Sequence, residues 1–305
     1  MKYTFTLLLI FSLAVCGYSQ TLTDGLMMSK GNLCTGFMYS HDKWKNYWEG
    51  ELERDNGNIG EITTQSITWV GNYGITNKIN LIAMVPYVMT KASQGVLHDM
   101  QGIQDLSIGV KYHFFSKAWE GKSTFKAFGV LNFSTPLTDY TPDFLPLSIG
   151  MASTNLSGRL TTYFKLDKGW FVNASGGYTM RSNVELDRPS YYTGDQLYNT
   201  NEVDMPNVFD LFASIGYLKN GLQAELNLMQ QNTLGGYDIR RQDMPFVSNK
   251  MNFTKAGALV MYYLPQVKNL ALRAAGSYTL SGRNVGQSTT IMGGVLYTFH
   301  FSKND

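Results

Sequence analysis

The stretches YGITNKINLIAMVPYV (Tyr73–Val88) and GIQDLSIGVKYHFF (Gly102–Phe115) decide the fold. Taken two residues at a time, the first sets Ile79, Leu81, Ala83, Val85 and Tyr87 against Asn80, Ile82, Met84 and Pro86. The second sets Leu106, Ile108, Val110, Tyr112 and Phe114 against Asp105, Ser107, Gly109, Lys111 and His113. A period of two marks a strand, whose successive side chains leave opposite faces. One face is apolar throughout and ends in Tyr87, Tyr112 and Phe114, while the other carries charge. An apolar face capped by aromatic rings fits a strand against a bilayer, where such rings gather at the headgroup boundary. We read two strands of a membrane β-barrel.

Working outward, the same rhythm recurs along the chain. Strands are expected near residues 29–41, 62–73, 78–88, 104–115, 123–134, 154–166, 170–181, 207–218, 222–233, 251–263, 270–280 and 289–301. About twelve strands give the even number that single-chain bacterial barrels use. Short connections at 74–77, 116–122, 167–169, 219–221 and 264–269 alternate with long ones at 42–61, 89–103, 135–153, 182–206 and 234–250, and a shorter sixth follows at 281–288. Short periplasmic turns facing long external loops are the asymmetry of an outer-membrane barrel, and a soluble barrel has no reason to sort its loops by side. The fold class is therefore all-β, a transmembrane antiparallel up-and-down barrel.

The aromatic residues test this topology. Strand ends beside short turns carry Trp69, Tyr73, Tyr112, Phe114, Phe164, Trp170, Tyr217, Tyr263, Tyr297, Phe299 and Phe301. Ends beside long loops carry Tyr39, Tyr87, Phe133, Tyr178, Phe209, Phe253 and Tyr278. Strand propensity explains that they occur but not that they cluster at strand ends on the apolar face. The last strand alternates Gly293, Val295, Tyr297, Phe299 and Phe301 with smaller or polar residues. It resembles the terminal signal read by barrel-assembly machinery, although Ser302–Asp305 trail after it.

Residues 1–19 read as an export signal: Lys2, then an apolar core from Leu7 to Val15, then the small residues Gly17 and Ser19 before Gln20. That core is shorter than the roughly 20 residues a membrane helix needs. Residues 20–305 are expected to form one barrel domain, with no Pro-rich or charged linker at which to divide them. After the signal only Cys34 remains, so no intramolecular disulfide is available. A net charge of +2 with mixed signs leaves no nucleic-acid footprint.

The pair YGITNKINLIAMVPYV and GIQDLSIGVKYHFF, followed by NFSTPLTDY at Asn132–Tyr140, resembles the outer-membrane proteins of the meta-pathway of phenol degradation family. That family combines a YG(L/I)T turn, a strand ending in VPY and a strand of the DLxxGxKY kind. The motifs cover about the middle third of this chain. The resemblance implies a relation to channels of the long-chain fatty acid transporter type, and so uptake of small apolar or aromatic molecules. Those channels carry a sizeable N-terminal plug. Only Gln20–Met28 precede the first strand here, a departure that puts gating by an N-terminal hatch in doubt.

The polar face supplies the lumen-lining candidates Asp105, Lys111, Lys126, Arg159, Asp210, Glu225 and Arg273. Across the wider inward set bases outnumber acids, which fits either a weakly anion-favouring pore or charges that pair across a narrow barrel and fill it. Pro86 has no N–H for the ladder and is the candidate weak point of the wall, where an apolar solute would leave sideways. His41 and His98 stand next to Asp42 and Asp99 near external loops, without a nucleophile or metal motif beside them. No catalytic residue, metal or cofactor is expected.

The function read at this level is an outer-membrane channel for small, hydrophobic or aromatic solutes, working by facilitated diffusion. The alternative is a structural or surface-binding barrel with a filled lumen, and the third reading is a lipid-modifying enzyme of the outer membrane. Expected partners are outer-membrane lipids and lipopolysaccharide, the barrel-assembly machinery and the solute.

Overall fold

In the computed structural model the described residues are 21–241 and 243–301, so the expected export signal lies outside them. Twelve long antiparallel strands form the wall. They are β1 (Asn32–Trp44), β2 (Ile62–Gly74), β3 (Ile79–Ala92), β4 (Asp105–Trp119), β5 (Ser123–Pro136) and β6 (Asn155–Leu166). The second half is β7 (Trp170–Arg181), β8 (Val208–Lys219), β9 (Leu222–Thr233), β10 (Asn252–Tyr263), β11 (Leu270–Arg283) and β12 (Thr289–His300). Each strand pairs with the next, and β1 pairs with β12 from Asn32↔His300 to Lys43↔Thr289, which closes the sheet and leaves no edge.

The burial pattern turns the sequence alternation into an inside and an outside. On the outward positions Phe37, Leu160, Leu226 and Ile291 are 61–67% exposed, which in water would be a costly apolar belt and in a bilayer is the required surface. The inward positions are buried although many are polar, among them Asn72, Asn80, Lys111, Thr161, Asn173, Asp210, Ser214, Gln223 and Thr298. A polar interior wrapped in an apolar exterior is the inverse of a soluble sandwich. The protein is an outer-membrane β-barrel.

The turns follow the chemistry of their residues. Asn220 and Gly221, with φ of 54° and 77°, join β8 to β9 in the two-residue hairpin that Asn-Gly favours, because both central residues need positive φ. Several strands run past their expected ends, β3 to Ala92 and β11 to Arg283 among them, and β4 has a visible cause. β4 runs to Trp119 rather than ending at Phe115, because a bulge between His113 and Phe115 shifts the register. The bulge puts Phe114 and Phe115 both on exposed positions, and this breaks the alternation that sequence counting relies on.

The long loops are built structures. Residues Asn46–Glu49 and Leu52–Asp55 form a hairpin above β1. Val184, Leu186, Tyr191, Val203, Met205, Phe246 and Val247 form an apolar cluster that joins two further loops. Arg283 at the end of β11 ties the loops together, reaching Asp238 and Glu51, each at 2.7 Å.

Candidate functional site

The lumen is the site, and the short segment before β1 occupies its lower half. Lys111 on β4 is fully buried, and its Nζ donates to the Thr21 carbonyl at 3.0 Å, the Asp24 carbonyl at 2.5 Å and Asp24 Oδ1 at 2.8 Å. From β7, Asn173 Nδ2 donates to the Thr23 carbonyl at 2.9 Å. Leu26 packs among Phe128, Tyr163, Phe171 and Leu218, and Met28 packs with Cys34, Met38, Leu259, Met261, Ala271 and Leu296. The sequence puts gating by an N-terminal hatch in doubt, yet residues 21–28 fill the barrel as a plug. Eight residues suffice because the barrel is narrow and offers both an apolar floor and a buried ammonium. Burying a charge costs several kcal/mol unless it is met by good acceptors, and Lys111 finds three of them on the plug.

Gly25 shows how closely the plug fits. A Cβ at that position would lie 2.2 Å from the Tyr163 side chain, so only glycine lets the segment pass the ring.

The other inward candidates divide into paired and unpaired groups. Arg159 on β6 and Asp210 on β8 form an ion pair at 2.5 Å, and Arg159 Nη1 also donates to Ser175 Oγ at 2.9 Å. The pair reaches across β7 at Gly177, where a Cβ would sit 2.8 Å from both groups. Glu225 and Arg273 line a small cavity of about 120 Å³ together with Asp24 of the plug. Lys126 is half-buried, with no ion pair among the described residues. Asp105 accepts a 2.6 Å bond from the Tyr140 hydroxyl of the loop after β5. Burial and the adjacent carboxylate raise that hydroxyl's pKa above its ordinary value.

The same loop covers the lumen from above. Leu147 and Ile149 are buried, and Thr90 Oγ1 on β3 donates to the Leu147 carbonyl at 2.5 Å. Beside this cap lies a cavity of about 470 Å³, lined by Met84, Pro86, Val88 and Ile149, with Thr64, Ser66, Thr68, Ser107, Ser134, Gln104 and Asp105.

At that cavity the pairing of β3 with its neighbour shifts register. β3 pairs with β4 from Ile79↔Tyr112 to Met84↔Ser107, and pairing resumes only at Tyr87↔Ile103 on the short strand Met100–Ile103. Val85 and Pro86 have no register partner on this side, and the Pro86 carbonyl accepts from the Gln104 N–H at 2.9 Å. An antiparallel residue turns its N–H and C=O toward the same neighbour, so the donor that Pro86 lacks belongs to this seam. The interruption lies within β3, six residues before the strand ends at Ala92.

Sequence reasoning missed the plug, because Thr21–Met28 shows neither period and its partners are scattered over β1, β4–β8 and β10–β12. The signal that could have found it was Lys111, a charge on the inward face of β4 beside Gly109.

No family model matches the chain, and no curated protein matches it. Among solved structures it is similar to an outer membrane channel from Pseudomonas putida F1, with a TM-score of 0.67 at 13% identity, covering 89% of this chain and 97% of that one. A weaker likeness is to the translocator domain of an autotransporter from Neisseria meningitidis, with a TM-score of 0.47 at 12% identity, covering 89% of each chain. What the first shares with this chain is the outer-membrane barrel fold.

Proposed function

We propose that this barrel is a channel that takes small hydrophobic or aromatic solutes into its upper cavity and releases them through the interrupted β3–β4 seam into the membrane, by facilitated diffusion. The observation that carries this reading is the cavity beside Pro86, apolar on the side of Met84, Pro86, Val88 and Ile149 and set against a stretch where β3 and its neighbour shift register at a residue that has no N–H to give. Its size lies within the ~300–1,000 Å³ of small-molecule sites. The plug below blocks a straight path to the periplasm, which favours a sideways exit for a solute that the bilayer accepts. The solved channel that shares the fold supports a transport role.

Proteoliposome uptake tests it. A neutral monoaromatic solute should enter protein-containing vesicles faster than empty ones, while a sugar of similar size should not. Pro86→Val, which restores the missing donor, should cut aromatic flux several-fold. Unchanged flux in that variant removes the sideways route. Absence of flux for both solutes removes the channel and leaves a barrel with a filled lumen, the reading that the plug and cap together favour.

A further inference from the structure

The periplasmic end of the barrel carries a pattern that transport does not use. Each of its five short turns has an exposed lysine in it or, for Lys219 at the end of β8, directly beside it: Lys78, Lys122, Lys168, Lys219 and Lys268. Every ion pair among the described residues lies instead in the lumen or on the external side. Glu120 and Asp167 are the exposed acids among these turns, so the rim is strongly positive in a chain whose overall charge is only +2.

The depth of the rim is marked by tryptophan. Trp119 and Trp170 are 41% and 56% exposed on the outer wall, the first against Phe164 at 6.4 Å and the second against Tyr217 at 5.6 Å. Lys117 Nζ stands 5.1 Å from the Trp119 ring centroid. The Asp167 N–H donates to the Lys122 carbonyl at 3.1 Å, which joins the β4–β5 and β6–β7 turns into one arc. Exposed indole rings sit at the headgroup level, and lysines beside them extend their ammonium groups to the phosphate plane.

We propose that this arc of Lys117, Lys122, Lys168 and Lys219 binds anionic phospholipid headgroups of the periplasmic leaflet. Charge complementarity favours the ligand, because these cations form no ion pair among the described residues and an anionic leaflet supplies phosphates at their depth. The aromatic neighbours favour a lipid over a soluble acidic protein, since a ring at the bilayer boundary places the adjacent lysine in the interface and not beyond it.

The test uses the full folded chain in nanodiscs of phosphatidylcholine alone and of phosphatidylcholine with one-third phosphatidylglycerol. Thermal unfolding is followed in each, together with native mass spectrometry of retained lipid. The protein should unfold several degrees higher with phosphatidylglycerol and retain it over phosphatidylcholine, and 0.5 M salt should abolish the difference. The quadruple variant Lys117→Gln, Lys122→Gln, Lys168→Gln and Lys219→Gln should lose the preference, with retention weaker by roughly tenfold or more. The external control Lys45→Gln with Lys91→Gln should keep it. Equal behaviour in the two discs, or a quadruple variant that matches the parent, overturns the proposal. So does a soluble acidic peptide that raises the unfolding temperature in phosphatidylcholine as much as phosphatidylglycerol does, because the rim would then be a protein-docking surface.

Discussion

Lys111 is the residue on which the state of the lumen turns. Its ammonium exchanges water for three oxygens of residues 21 and 24, so a group of the wall and a group of the plug are each buried because of the other. Lys111→Met should loosen the plug and raise conductance in planar bilayers several-fold while heat-modifiable gel mobility shows a folded barrel. Conductance equal to the parent would mean that the apolar contacts of Leu26 and Met28 hold the plug alone. Arg159 belongs to a different class, pairing two strands away across Gly177. Arg159→Met leaves the Asp210 carboxylate buried without its partner and should cost about 3–5 kcal/mol in urea unfolding, whereas adding Asp210→Leu should recover most of that loss. Sequence alternation placed Lys111, Arg159 and Asp210 on the polar face. It could not pair Lys111 with Asp24, because that contact joins positions 87 residues apart on a segment with no strand pattern.

At the scale of elements, the plug, the register shift beside Pro86 and the loop clasp are separate features. Removing Thr21–Met27 should give a larger and steadier conductance than Lys111→Met, with the twelve-strand ladder intact because those residues take no part in the strand-to-strand pairing. The loop clasp should respond to acid. Hydrogen bonds from Arg283 hold the Asp238 carboxyl below its ordinary range, with Asn284 assisting. A depressed carboxylate contributes stability that is present above its unfolded pKa of about 4 and is lost as pH falls through the lower, folded value. Pepsin cleavage in residues 234–251 should therefore appear as pH drops from about 4 toward 2, and Arg283→Gln should move its onset to higher pH. The short and long connections were legible because turn residues are local signals, as at Asn220–Gly221. The extension of β4 to Trp119 was not, because one bulged residue cancels the period on which strand ends are judged.

For the molecule as a whole, the sequence displays its outside and conceals its inside. The outer wall is mostly apolar at every second position, with aromatic residues gathered at its rims, a local pattern that recurs from strand to strand, so twelve strands could be counted without a structure. The lumen obeys no such rule. Its charges, its plug and its cap are settled by which inward residues meet across strands distant in sequence. The place of the plug has a consequence for how the molecule is made. Met28 packs on Cys34 and Met38 of β1 and on Leu296 of β12, the two strands whose pairing completes the cylinder. The stopper is therefore also a cork pressed against the last joint: substitutions at Met28 or Gly25 should register first as a lower yield of assembled barrel, before any solute has been offered to it.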